Sequence, residues 1–246
     1  MALTACGCGP VHLGQDPDIL WWTDHETGDF TEWDQGGYHW SAEGGSAKIV
    51  ELPSPTRSGR FSFESQVASA SVGVQSGAQA FRSGGLPSQA YYSAWFYLPQ
   101  AINSATYLVV FKFRSRQDPA DDSTTVNAWD VNVAPDGSGA MFLVLYEHSG
   151  ANQWEDRTLN VPVRQWFQVE AFLRAANDSS GQITVWCNGT QLFDVAGRAT
   201  TASSFVEWSV GGVTEVIDPD PTTLLIDDAA VSKRRLGPEF PVFSRE

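Results

Sequence analysis

Five polar side chains that could bind a sugar or move a proton fall at alternate positions of three predicted strands: Lys112, Arg114, Asn132, Tyr146 and His148. Successive side chains of a strand point to opposite faces of a sheet, so residues two apart share a face. The same period places Val110 beside Lys112 and Asp130 beside Asn132. If the three strands adjoin in one sheet, they present cations, an amide, a phenol and an imidazole side by side.

This set of groups suits the β-elimination of a uronate sugar. A cation or an amide neutralises the C5 carboxylate, which makes the neighbouring proton acidic. A base then removes that proton, and an acid protonates the departing O4. On this hypothesis Lys112, or Arg114 together with Asn132, binds the carboxylate, while His148 and Tyr146 are the base and the acid. If the faces do not coincide, the same residues are ordinary surface groups near strand ends.

The segments that must position these groups have the pattern of short strands broken by turns. The predicted strands cover residues 90–98, 107–114, 129–133, 140–148, 166–174, 183–187, 190–195 and 223–232. Asn188 and Gly189 supply the positive φ values that a two-residue type I′ hairpin turn needs. No segment shows a sustained 3.6-residue apolar stripe with caps, so we expect at most a turn or two of helix.

Many strands without strand–helix alternation predict an all-β fold. The strand pattern predicts a single β-sandwich of two antiparallel sheets. The family resemblance described below implies that this sandwich is a jelly roll of the concanavalin-like kind with a concave groove. The predicted organisation is a tail or linker over 1–18, the jelly-roll domain over 19–240 and a short C-terminal tail over 241–246.

The composition of the 246-residue chain excludes several classes of protein. Hydrophobic residues make up 42% and aromatic residues 12%, which is enough to bury a large core and argues against disorder. With 15 Lys and Arg against 29 Asp and Glu, the formal net charge is −14, so we expect no nucleic-acid partner. The same acidity disfavours a highly sulfated glycan and favours a less charged polysaccharide as the partner.

The N-terminal segment Leu3-Thr4-Ala5-Cys6 has the form of a bacterial lipobox, in which the cysteine carries the lipid. Only five residues precede Cys6, which is too short for a complete signal peptide. Either the signal peptide has been trimmed or the lipobox match is due to chance. On the lipobox interpretation, we expect a secreted protein or an outer-membrane or cell-surface lipoprotein. Its only membrane contact would be a lipid at Cys6, and we expect a monomer.

Two segments at the ends of the domain carry a family resemblance. Residues 22–30 contain the pattern Asp-x-Glu-x-Gly-Asp, and residues 225–231 contain Ile-Asp-Asp-x-x-Val. Together they resemble concanavalin-like (laminin-G-like) jelly rolls, and most nearly the bacterial heparin-lyase-I-like polysaccharide lyase family. The stretches 91–99, 165–170 and 181–186 resemble further strands of such domains.

The resemblance implies that the first and last strands lie side by side and that a Ca²⁺ ion joins them. Carried over, Glu26 and Asp227 would be ligands, with Asp228 or Asp24 as further ligands. Carboxylate oxygens are the ligands that Ca²⁺ prefers. Because neighbouring strand residues point to opposite faces, we expect only one of Asp227 and Asp228 to face the ion.

Trp154 lies in a polar stretch, and we expect its indole to line the rim of the groove as a platform for a sugar ring.

The Glu-x-Asp-x-x-Glu run of jelly-roll glucanases is absent, which argues against a retaining glycosidase of that type. Two alternatives to a lyase stay open. One is a non-catalytic, calcium-stabilised carbohydrate-binding module, and the other is a laminin-G-like adhesion domain.

Overall fold

The computed structural model describes residues 16–33 and 39–240. Cys6 and the rest of the lipobox-like segment lie outside these residues. The described chain forms the following strands: β1 (Ile19–Thr23), β2 (His39–Ala42), β3 (Ser46–Glu51), β4 (Phe61–Val67), β5 (Ser76–Ser83), β6 (Gln89–Tyr97), β7 (Ser104–Ala105), β8 (Leu108–Arg116), β9 (Thr125–Pro135), β10 (Met141–Glu147), β11 (Asn152–Asp156), β12 (Trp166–Arg174), β13 (Gly181–Cys187), β14 (Thr190–Arg198), β15 (Val206–Thr214), β16 (Ile217–Asp218) and β17 (Thr222–Ser232).

A 3-10 turn, Asp122–Thr124, is the helical element between β8 and β9. Among the described residues, no helix has the length and apolar character needed to cross a membrane. This agrees with the lack of a helical apolar stripe in the sequence.

The strands form two large antiparallel sheets. The eight-stranded sheet has the order β14-β13-β12-β6-β17-β4-β3, with β1 paired to β17. The seven-stranded sheet has the order β11-β10-β9-β8-β15-β5-β2, and β7 and β16 form a small ribbon. The predicted fold class is therefore confirmed, and the predicted adjacency of the first and last strands is also confirmed.

The core lies between the two sheets, because each strand turns alternate apolar side chains toward it. On β12, for example, Phe167, Val169, Ala171 and Leu173 all belong to the core and are almost wholly buried. Burial of such side chains is the main free-energy gain of folding, at about 25 cal/mol per Å² of apolar surface. The hairpin turn between β13 and β14 has the positive φ values that were predicted, 47° at Asn188 and 80° at Gly189.

Register irregularities interrupt the alternation on the seven-stranded sheet. On β8 the pairing with β9 shifts between Val109 and Phe111, and on β15 it shifts between Val210 and Val213. A β-bulge adds a residue to one strand and re-aims the side chains beyond it. As a result Val110 joins the core. The expectation that Val110 shares a face with Lys112 is therefore wrong.

Candidate active site

A cleft of about 480 Å³ lies on the face of the seven-stranded sheet that points away from the core. The residues that line it are mostly polar: Gln75, Thr106, Tyr107, Asp130, Asn132, Ala134, Val144, Tyr146, His148, Gln153 and Glu215. A cleft with a few converging polar groups and titratable residues is the usual form of a ligand-binding site.

The cross-strand register explains why these residues meet. Lys112 on β8 pairs with Asp130 on β9, Asp130 pairs with Tyr146 on β10, and Tyr146 pairs with Gln153 on β11. Directly opposite residues of an antiparallel pair project from the same face. These four side chains therefore lie on one face of the sheet, and three of them, Asp130, Tyr146 and Gln153, line the cleft. The predicted convergence of the three strands on one sheet face is confirmed.

His148 follows the last residue of β10 and turns its ring back over β9. Its Nε2 lies 2.8 Å from Oδ2 of Asp130, and 30% of the His148 side chain is exposed. The Tyr146 ring stands edge-on to the imidazole, with 4.9 Å between the ring centroids. A carboxylate on one ring nitrogen fixes the tautomer of a histidine and leaves the other nitrogen for chemistry.

Lys112 lies beneath this pair and not in the lining of the cleft. Only 4% of Lys112 is exposed, and its Nζ is 3.8 Å from Oδ1 of Asp130. Burial lowers the pKa of the Lys112 ammonium, and the Asp130 carboxylate partly opposes that shift. The expectation that Lys112 faces the substrate carboxylate is corrected, because Asp130 stands between this cation and the cleft.

Arg114 lies on the same sheet face, but its guanidinium already contacts neighbouring side chains. Its guanidinium forms an ion pair with Glu207, the residue opposite it on β15, and lies 4.6 Å from the ring centroid of Phe81. It is absent from the lining of the cleft. The prediction that Arg114 neutralises a uronate therefore requires the Glu207 pair to open first.

Asn132 occupies the middle of the cleft floor, as the strand pattern predicted. It is 8% exposed, and its side-chain Oδ1 has no hydrogen-bond partner in the described part of the chain. A buried carbonyl oxygen without a donor costs free energy, so Asn132 Oδ1 is ready to accept a hydrogen bond from a ligand in the cleft.

One end of the cleft holds a group of residues that the sequence reasoning missed. Tyr107, directly before β8, accepts a hydrogen bond from Gln75 Nε2 at 2.9 Å and donates one to Glu215 Oε1 at 3.4 Å. Burial raises the pKa of Tyr107, and the Glu215 charge adds to the increase. The three residues flank the ends of different strands, so strand alternation carried no signal for them.

Trp154 does not lie at the rim of the cleft. It pairs with Leu145 on β10, packs against the core, and stacks on Trp129 with 5.8 Å between the ring centroids. The polar stretch around Trp154 forms a strand over residues 152–156, and the alternation of that strand turns Trp154 inward. Gln153, its neighbour, faces the cleft instead.

The acids of the opening and closing segments lie together at a loop that covers residues 57–61. Asp227 Oδ2 accepts hydrogen bonds from the backbone N–H of Arg57 and of Ser58, at 2.9 and 3.2 Å. Glu26 Oε1 accepts hydrogen bonds from the backbone N–H of Arg60 and Phe61, at 2.8 and 2.9 Å. The two carboxylates thus bind successive parts of one loop, and they hold it against the first and last strands.

Asp228 turns to the same loop as Asp227. It forms an ion pair with Arg57, and its Oδ1 accepts a hydrogen bond from Ser58 Oγ at 2.9 Å. Asp228 turns to this loop because its φ is positive, 46°, and because the strand register shifts between Asp227 and Ala230. The expectation that these two acids face opposite sides is wrong at this bulge.

Burial of the two carboxyl groups has an electrostatic consequence. It raises the pKa of Asp227 and of Asp228 to about 7, and for Asp228 the charge of Asp227 adds to the effect.

The carboxylates of these acids offer hard oxygen ligands, which is the donor chemistry that fits Ca²⁺. Within residues 16–33 and 39–240, no group of three or more His, Cys, Asp or Glu side chains is arranged to hold a metal. Protein side chains alone therefore supply an incomplete ligand set here.

The fold is a jelly-roll sandwich that carries a polar cleft on the outer face of one sheet. The family model described as "Polysaccharide lyase" matches residues 25–228. Because that match covers most of the chain, the protein belongs to the polysaccharide lyase family. No curated protein matches the chain in sequence.

Several solved structures, two of them lyases, share the fold at low sequence identity. An endo-β-1,4-glucuronan lyase from the fungus Trichoderma reesei is 13% identical, with a TM-score of 0.64 over 88% of this chain and 96% of that one. The cellulose-induced protein Cip1 is 16% identical, with a TM-score of 0.60 over 88% and 98% of the two chains. An alginate lyase from Aplysia kurodai is 10% identical, with a TM-score of 0.56 over 88% and 99%. These likenesses show the jelly-roll fold, whereas the closer resemblance to heparin lyase I stays a prediction.

Proposed function

We propose that this protein is a lyase that cleaves a uronate-containing polysaccharide by β-elimination. The observation that carries the proposal is the His148–Asp130 pair, at 2.8 Å, beside Tyr146 in the cleft. The family and the lyase fold of the neighbours support the same reaction.

His148 is the proposed base. If Nε2 carries the proton that it donates to Asp130, then Nδ1 has the free lone pair that can remove the C5 proton of a uronate. As the imidazole becomes positively charged, the Asp130 carboxylate stabilises it. Lys112 is buried on the other side of this carboxylate, with its Nζ 3.8 Å from Asp130 Oδ1, and so helps to hold the Asp130 side chain in place.

Tyr146 is the proposed acid that protonates O4 of the leaving sugar. Its ring lies edge-on to His148, so the two groups reach one sugar ring from neighbouring positions. The Tyr107 phenol donates its only proton to Glu215, so it can offer the substrate a hydrogen-bond acceptor.

The cleft has no Lys or Arg in its lining among the described residues. In this proposal the amide of Asn132 is therefore the group that binds the uronate carboxylate, through hydrogen bonds donated by its Nδ2. Hydrogen bonds to a developing enolate are worth most in a cleft where water is scarce. Arg114 would contribute only after its ion pair with Glu207 opens.

The test is the ultraviolet absorbance of unsaturated uronates released from a panel of uronate-containing polysaccharides. We expect wild-type protein to release them, and His148→Gln and Tyr146→Phe each to lower kcat/KM by roughly 10²–10⁴-fold, the usual contribution of general acid–base catalysis. Tyr97→Phe is the matched control, because Tyr97 packs against Trp166 on the eight-stranded sheet.

Unchanged activity in both cleft variants would contradict the assignment of acid and base. Glycan binding without unsaturated product would favour the non-catalytic binding module, and protein partners without glycan binding would favour the adhesion domain.

We also propose a structural Ca²⁺ between the opening and closing segments. The support is chemical: Glu26 and Asp227 bring carboxylates to one loop, and Asp227 and Asp228 bury two acids beside a single arginine. A cation would offset that buried charge and would take its remaining oxygens from backbone carbonyls or water. We further propose that the protein lies outside the cell, that it carries a lipid at Cys6 and that it is a monomer. These three statements stay predictions.

A further inference from the structure

The two ends of the cleft differ in charge. At one end, Asp130 is an acid, but Lys112 and His148 flank its two carboxylate oxygens. At the other end, Glu215 contacts only the neutral Tyr107 phenol, and no Lys or Arg pairs with it within the described part of the chain. The charge of Glu215 therefore faces the cleft without a compensating cation.

The charged end and the reactive end face different sugar rings. Tyr107 directly precedes Leu108, which pairs with Val133, so Tyr107 and its partner Glu215 lie near Ala134 on β9. Asp130 and Ala134 are four residues apart on that strand, which is on the order of 13 Å at about 3.3 Å per residue. A single pyranose ring does not fill this span, so a chain bound at His148 places a neighbouring ring beside Glu215.

The other groups at the Glu215 end suit an uncharged ring. Gln75 presents an amide, Tyr107 a phenol and Thr106 a hydroxyl beside this acid. A carboxylate and these neutral groups can hydrogen-bond to sugar hydroxyls or to an N-acetyl group. A second uronate carboxylate at this position would meet a like charge in a partly enclosed cleft, where screening by water is weaker.

On the basis of the proposed lyase function, we infer that Glu215 selects the substrate. The protein acts on a heteropolysaccharide in which the cleaved uronate adjoins an uncharged sugar, and it acts poorly on a polymer of uronates alone. The repulsion by Glu215 sets this preference locally, and the chain's net charge of −14 acts in the same direction.

The test uses the full protein chain and compares two kinds of polymer as its substrates. The alternating polymers are hyaluronan, unsulfated chondroitin and heparosan, in which each glucuronate adjoins an N-acetyl sugar. The homopolymers are glucuronan, alginate and polygalacturonate. Initial rates of unsaturated product and dissociation constants are measured at equal uronate concentration for wild type, Glu215→Gln and Glu51→Gln. Glu51 pairs with Arg60 at the exposed edge of the other sheet, so its variant controls for net charge.

We expect wild type to prefer at least one alternating polymer. Glu215→Gln should raise kcat/KM on the homopolymers by about tenfold, the effect of removing one close like charge. On the alternating polymers it should not raise kcat/KM, because the uncharged ring meets no repulsion from Glu215 and can donate hydrogen bonds to its carboxylate, so the ratio of homopolymer to alternating-polymer activity should rise. Glu51→Gln should leave that ratio unchanged. Added salt should narrow the wild-type preference, because ions screen the repulsion.

Two results would overturn the inference, and they differ from each other. If homopolymers are cleaved as well as alternating polymers and Glu215→Gln leaves both rate and affinity unchanged, the lyase function stands and the role of Glu215 falls. If no polymer yields unsaturated product, the lyase function falls and the inference falls with it.

Discussion

At the scale of single residues, the cleft depends on one carboxylate that serves two neighbours. Asp130 binds the His148 imidazole on one oxygen and lies next to the buried Lys112 ammonium on the other. It touches no substrate in the proposed reaction, so it is a positioning residue. Its effect would pass through the tautomer and the charge of the imidazole.

Replacing Asp130 with Asn should separate these two effects. We expect kcat to fall roughly 10²–10⁴-fold, because the imidazole loses the anion that fixes and stabilises it, while KM changes little. The variant also leaves Lys112 as a buried cation without a partner, which costs about 3–5 kcal/mol of stability.

The double variant Lys112→Met with Asp130→Asn distinguishes catalysis from folding. It should recover most of the lost stability in chemical denaturation and none of the lost kcat. Recovery of activity together with stability would show that Asp130 has only a structural role. Asp178→Asn, at an exposed turn, is the matched control.

The site residues were predictable where strand alternation alone places them. Asn132, Tyr146 and His148 face the cleft because a period of two fixes their side of the sheet. The role of Asp130 was not evident from spacing, since an acid on a sheet face is usually a solvated group. Its significance comes from Lys112 and His148, which approach it from neighbouring strands.

At the scale of elements, β-bulges interrupt the strands of the sheet that carries the cleft. The β15 bulge between Val210 and Val213 contains Gly211, whose φ is 126°. A Cβ at Gly211 would lie 2.1 Å from the carbonyl oxygen of Ala78 on β5. A glycine is therefore required there, for its φ and for the close approach of the neighbouring backbone.

Gly211→Ala should destabilise the fold by about 2–4 kcal/mol, from backbone strain and the clash with β5. For a protein of this size we expect the melting temperature to fall by roughly 5–10 °C. Gly73→Ala is the matched control, because Gly73 also has a positive φ, 81°, but no atom within 4 Å of the added Cβ. It should cost only about 1 kcal/mol, from the backbone conformation.

Calorimetry and chemical denaturation measure both variants. Equal losses of stability would show that the close approach of β5 and β15 at Gly211 is unimportant. The sequence could not reveal this bulge, because Gly211 and Gly212 carry no side-chain pattern and the register shift depends on both neighbouring strands.

At the scale of the whole molecule, the pairing of β1 with β17 brings the opening and closing acids to one loop. If Ca²⁺ binds there, it stabilises the native state and not the unfolded chain. At one hundred times the dissociation constant, that linkage is worth about 2.7 kcal/mol. We expect the melting temperature in CaCl₂ to exceed that in EDTA by roughly 5–10 °C.

Glu26→Gln should abolish most of this response, whereas Glu51→Gln should retain it. A melting temperature that is the same in calcium and in chelator would contradict the calcium proposal. In that case Asp227 and Asp228 would remain buried acids that hold the loop through Arg57 and Ser58 alone.

The sequence by itself determined eight of the seventeen strands in the described part of the chain, the antiparallel sandwich and one row of the cleft, because alternation and hairpin turns are local properties of the chain. Only the tertiary structure decided which groups are free to act. It buried Lys112 behind Asp130, paired Arg114 with Glu207, and brought Glu215 to Tyr107 from a distant segment. Bulges and long-range pairings set these outcomes, since they depend on neighbours that lie far away in the sequence.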